Sequence, residues 1–181
     1  MSKHRHASLH ALFAAVVALA ATAVSAHSAS DAYLTLDAQK VTDPSSGGNT
    51  VLHGQWDVAL RDLNFVLGLD DDGDGNITWA ELRQRQTRIA DYVFAYLQVS
   101  GDGRACTINP TRQMVDNHAD GGYAALFFDI VCSGRATRLT LDYRLFFAID
   151  PSHRGILVLR SGADTATALL SPENARIELK L

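Results

Sequence analysis

Only two cysteines, two methionines and four prolines occur in 181 residues, and the common catalytic signatures are missing. There is no CxxC, so thiol redox catalysis has no support. No GxSxG, HExxH or phosphate-cradling glycine motif is present, which leaves catalysis with thin support. Positive charge is in the minority, 16 Lys and Arg against 20 Asp and Glu for a formal charge of -4. A mildly acidic chain gives no reason to expect a nucleic-acid partner. Beyond residue 24 no apolar run approaches the length of a membrane span. Internal repeats and low-complexity linkers are also absent, and the length suits one compact unit.

What is present begins with a leader. Residues 1–10 carry Lys3, Arg5 and three histidines, and residues 11–24 (ALFAAVVALAATAV) are apolar. That run is too short to span a bilayer comfortably, and Val24-Ser25-Ala26 follows with small residues. The pattern predicts a Sec-type signal peptide over 1–26, cleaved after Ala26; an uncleaved anchor is the alternative. Cleavage leaves residues 27–181 as a single exported domain, periplasmic or secreted. It removes Lys3 and Arg5 and no acid, taking the formal charge from -4 to -6. In an oxidising compartment Cys106 and Cys132 read as a disulfide, with two buried free thiols as the other option. Closing a loop of that size is worth roughly 3.5 kcal/mol on the chain-entropy model.

Residues 31–38 (DAYLTLDA) and 50–59 (TVLHGQWDVA) predict strands, separated by a turn cluster at 43–48. Leu60, Leu63 and Leu67, with Val66, then fall at helical spacing. A second helix is expected from about Trp79 to Leu97, with Leu82, Ile89, Val93 and Tyr96/Leu97 as its apolar stripe, ended by Ser100-Gly101-Asp102-Gly103. Segments 111–118, 123–132, 137–147, 155–160 and 165–170 are β in character. Asp150-Pro151-Ser152-His153-Arg154-Gly155 mixes a hydroxyl, an imidazole and a guanidinium, but reads as a turn.

Between the two helices lies LDDDGDGNITWAEL, residues 69–82. Counting from Asp70, the pattern D-x-[DN]-x-[DN]-G-x₅-E is filled throughout. Asp70, Asp72 and Asp74 occupy positions 1, 3 and 5, Gly75 position 6, Asn76 position 7, Thr78 position 9 and Glu81 position 12. Calcium takes six to eight oxygens, and alternate carboxylates converge when a chain coils around it. Gly75 permits the sharp turn, Asn76 offers its backbone carbonyl, Thr78 a hydroxyl or a bridging water, and Glu81 two oxygens. A solvated acidic turn is the bland alternative, and it leaves four carboxylates repelling one another in a small volume.

The loop and its flanks resemble an EF-hand, the helix-loop-helix calcium site of the calmodulin superfamily, over about residues 58–97. The expected fold is therefore α+β: an antiparallel β-sandwich or partial barrel with an EF-hand insertion. EF-hands usually pair through position 8, here Ile77. The nearest second loop, beginning at Asp116, has Phe127 at its twelfth position and reads better as a hairpin turn. Ile77 is then expected to bridge to the β body or to a second copy of the chain in a homodimer. Trp79 at position 10 is expected to pack against the β body, with an exposed ligand-facing aromatic as the alternative.

A broader resemblance rests on SDAYLTL, GQWDVALRDL, GLDDDGDGNITWAEL, DYRLFFAIDPSHRGIL and SPEN. Together they are similar to the exported amino-terminal region of bacterial membrane proteins related to nickel-incorporation accessory proteins of hydrogenase and urease systems. The resemblance spans most of residues 28–174 and implies a periplasmic accessory or binding domain from a Gram-negative bacterium, with a membrane protein as one candidate partner. Transport belongs to the membrane half and is not expected here. Three functions stay open: a binding module stapled by Ca²⁺, a nickel- or copper-handling protein, and an unrecognised enzyme. The second would use the amine and imidazole of His27, with His53, His118 and His153 as candidate partners. The partner, protein or small ligand, is not legible.

Overall fold

The computed structural model describes residues 30–38 and 48–181. The leader, His27 and all but Gly48 of the turn cluster lie outside the described residues. The alternating runs form β1 (Asp31–Ala38) and β2 (Thr50–Ala59), which pair antiparallel. The chain then passes directly into α1 (Leu60–Leu67), where Leu60, Leu63 and Leu67 are buried. Gly68 ends α1 in the left-handed region at φ 60°, its N–H donating to the Asn64 carbonyl at 2.8 Å. This is the backbone setting for which glycine is the usual choice.

The second helix, α2 (Trp79–Phe94), buries Leu82, Ile89 and Val93. It stops three residues short of the expected Leu97. Leu97–Gly101 is instead a strand, β3, in which Leu97, Val99 and Gly101 alternate with wetter neighbours. Leu97 does reach the core, but at period two and opposite Tyr143.

β4 (Arg104–Ala105), β5 (Thr107–His118), β6 (Gly121–Cys132), β7 (Arg138–Tyr143), β8 (Arg154–Ser161), β9 (Asp164–Leu170) and β10 (Arg176–Lys180) complete the order. β3, β4 and β10 lie outside the segments expected to be strands. Two sheets result, β5-β6-β2-β1-β8-β9 and β10-β7-β3-β4. Neither closes on itself, and the chain is of mixed α+β class. All pairings but one are antiparallel; the exception is β1 with β8. The Asp116 segment is a hairpin turn as expected, with His118 paired to Gly121 around Ala119-Asp120.

The buried faces of both sheets and α2 contribute to one core, in which Trp56, Phe128, Tyr143 and Ile89 are fully enclosed. Gly54 is fitted to that core by having no side chain. A Cβ there would lie 2.3 Å from the ring of Phe128, its cross-strand partner. Cys106 and Cys132 form a disulfide. It sits where the chain leaves β4 of the smaller sheet for β5 of the larger.

Candidate metal centre

α1 and α2 hold the acidic loop between them. Asn64, on the last turns of α1, accepts the backbone N–H groups of Leu69 and Asp70 on its Oδ1 at 2.6 and 3.0 Å. The loop entrance is thereby tied to the end of α1. At the exit Thr78 caps α2: its hydroxyl accepts the Glu81 N–H, and the Glu81 carboxylate accepts the Thr78 N–H at 2.7 Å. These reciprocal bonds form a capping box, which satisfies donors that a helix start leaves open.

Between those anchors the backbone wraps around Asp70. Its Oδ1 accepts the Gly73 N–H at 2.7 Å and its Oδ2 the Gly75 N–H at 2.9 Å. Both glycines have positive φ, 73° and 86°, which allows the chain to turn this tightly. One carboxylate oxygen from each of Asp70, Asp72 and Asp74 lies within 4.8 Å of the others. Among the described residues no Lys or Arg is ion-paired with these three. Arg85 pairs with Asp71 instead, so its guanidinium is directed to the one loop aspartate outside the ligand pattern.

Three anionic oxygens so close together without a cationic side chain form a hard donor set that fits a divalent ion. The other expected ligands stand differently. Asn76 is exposed, and its N–H donates to Asp74 Oδ1 at 2.7 Å. Glu81 accepts Thr78 Oγ1–H at 2.7 Å and the Asp71 N–H at 2.8 Å, in addition to the Thr78 N–H. These bonds, with the Thr78 hydroxyl foremost, hold its carboxyl below the ordinary glutamate range and keep it anionic. It is drawn to the loop ends and is not one of the three convergent groups.

Two expectations about the loop need correcting. Trp79 is not buried against the β body: although its spacing from Leu82, Ile89 and Val93 places it beside their stripe, it stands at the very start of α2 and is 48% exposed. Ile77 is partly buried against the core and, among the described residues, pairs with no strand of the β body, which leaves a second copy of the chain as its expected bridge.

The histidines considered as partners of His27 occupy separate settings. His53 is exposed and bonded to Asp129 at 2.7 Å. His153 is fully buried behind the Asp150-Pro151-Ser152 turn. His118 lies beside Asp57 and Asp116 on the outer face of the larger sheet, a grouping that residues 60 positions apart could not reveal in the sequence. A scan against protein-family models finds no match to this chain, and a search of curated proteins finds none.

Proposed function

We propose that residues 70–81 bind one Ca²⁺ in an EF-hand set into a two-sheet sandwich, and that the ion acts as a structural staple in an exported binding or accessory module. The convergence of Asp70, Asp72 and Asp74 between two helix ends carries the reading. Thr78 and Glu81 stand at the start of α2 and Asn64 at the end of α1. An ion shared with the aspartates would therefore fix the two helices relative to each other. Glu81 would contribute through lone pairs its present bonds leave free, and Asn76 through its carbonyl.

A staple suits the chain better than a sensor. The groove of a sensor hand is Met-rich, whereas the exported portion has only Met114. The disulfide suits an oxidising compartment, where calcium is high and steady. Phe65 on α1 and Trp79 on α2 are 81% and 48% exposed, and offer apolar surface to a partner.

Melting in millimolar calcium and in chelator tests the reading. For a dissociation constant near 10 µM, 1 mM calcium stabilises by about 2.7 kcal/mol. That is a rise in Tm of roughly 5–10 °C for a chain of this size. Asp70→Asn and Glu81→Gln should abolish the rise. Identical melting of the wild-type protein in both buffers, with no heat of calcium binding, would sink the proposal.

A further inference from the structure

The outer face of the larger sheet breaks its own pattern at one place. β2 alternates until Gln55, with its inward residues buried and its outward ones wetter. Asp57 then points outward and yet is only 7% exposed. A carboxylate hidden on a face that should be wet is costly unless a cation or a proton accompanies it. Among the described residues no Lys or Arg pairs with it; its ionisable neighbours are His118 and Asp116.

Strand register explains how the group assembles. Asp57 is opposite Ala125 on β6, and Asp116 on β5 is opposite Tyr123. The methyl of Ala125 leaves the way clear for side chains two strands apart to meet. Oxygens of Asp57 and Asp116 and a ring nitrogen of His118 come within 4.8 Å of one another. His118 Nε2 lies 3.4 Å from Asp57 Oδ2. A charge-assisted N–H···O bond is normally about 2.7–2.9 Å. Two ligands on one tetrahedral ion, at about 2.0–2.1 Å each, stand roughly 3.3–3.5 Å apart. At 3.4 Å the contact is long for such a bond and matches the spacing of two ligands on one ion.

The parts are also held in place. The imidazole packs against two tyrosine rings that also touch each other, its centroid 4.8 Å from that of Tyr33 and 4.1 Å from that of Tyr123. Gln55 Nε2–H donates to Asp57 Oδ1 at 2.9 Å. That bond orients the carboxylate and leaves Oδ2 toward His118, the kind of outer support that metal ligands receive. Above the group opens a cavity of about 600 Å³ bordered by Asp31, Tyr33 and Asp120.

We infer that Asp57, Asp116 and His118 form a binding site for a divalent borderline cation of the zinc class, with its remaining coordination position open to the cavity. One imidazole nitrogen and two carboxylate oxygens suit such an ion, whereas calcium and magnesium prefer all-oxygen shells. Three protein ligands and an open position are the arrangement of sites that exchange or activate a ligand, not of closed structural sites. The site is independent of the acidic loop and stands or falls without it.

Zinc titrated calorimetrically into the full chain in millimolar calcium tests this, with Co²⁺ as a spectroscopic substitute. The expected result is one ion bound per chain, undiminished in Glu81→Gln and weakened at least about tenfold in Asp57→Asn, Asp116→Asn and His118→Gln. Co²⁺ should show ligand-field bands that Glu81→Gln keeps and His118→Gln loses. Asp116 is exposed, so Asp116→Asn decides the matter should a variant at buried Asp57 fail to fold. Absence of zinc binding overturns the site, and so does zinc binding of full strength in Asp116→Asn and His118→Gln, which would place the ion elsewhere.

Discussion

His153 is wholly enclosed, and both of its ring nitrogens are bonded. Ser30 Oγ lies 2.7 Å from Nδ1 and Tyr143 Oη 2.7 Å from Nε2. Ser30 gives its one hydroxyl proton to Asp62 Oδ2 at 2.8 Å. Nδ1–H then donates to Ser30 and, in the neutral ring, Nε2 accepts from Tyr143, so the whole chain of bonds is made without placing a charge on the buried imidazole. Burial, opposed by the nearby Asp150 carboxylate, lowers the His153 pKa from 6.5 to about 4. The unfolded chain thus takes up a proton that the folded one refuses, and stability falls as pH drops from 6.5 toward 4. The loss attached to this residue is of order 3 kcal/mol. Asp57 and Asp62 act in the opposite sense, since burial raises their carboxyls and folding gains from their protonation. His153→Gln should therefore flatten or reverse the fall measured by urea unfolding at pH 6.5 and pH 4. An unchanged slope would show that the ring is not the group responsible. None of this was legible in DPSHRG, where the turn was evident but the bonding partners lie 123 and 10 residues away.

Helix α2 shows how far local pattern reaches. Its start is set by neighbours in sequence, Thr78 and Glu81 in a capping box, and falls at the expected position 79. Removing the cap hydroxyl with Thr78→Ala should cost about 1 kcal/mol in chelator, while Thr78→Ser should cost little. Urea midpoints of the two variants check this; equal losses would mean that the hydroxyl is not what holds the turn. The end of α2 depends on distant residues instead. Tyr96 and Leu97 continue the apolar stripe, but Leu97 pairs with Tyr143 and enters β3. Strand β10 is illegible for the same reason: Arg176–Lys180 carries three charged residues in five and is held by β7 alone. The loop aspartates were legible because all their spacing is local. Asn64, which secures the loop entrance by accepting the Leu69 and Asp70 N–H groups, carries no comparable signal, since where those donors lie depends on how α1 ends.

At the scale of the whole molecule the two sheets share a core, the chain crosses between them five times, and the disulfide reinforces one of those crossings. Cys106 follows β4, and its N–H donates to the Val99 carbonyl of β3 at 2.9 Å. Cys132 ends β6 opposite Thr50 of β2. The cross-link therefore ties the edge of the smaller sheet to an interior strand of the larger one. The fit around it is close, since a Cβ on Gly101 would come within 2.9 Å of Ala136 and 3.2 Å of the Cys132 Cβ. With the cysteines separated by 26 positions in sequence, the constraint on the unfolded chain is worth roughly 3.5 kcal/mol. Reduction should lower Tm by roughly 7–14 °C. Because the cross-link acts on the unfolded ensemble and lies apart from residues 70–81, calcium should raise Tm by the same increment in reduced and oxidised protein. Calorimetric melting in a two-by-two comparison of reductant and calcium measures both effects. A calcium increment that vanishes on reduction would mean that the helices depend on the inter-sheet tie, contrary to a staple that acts locally between α1 and α2.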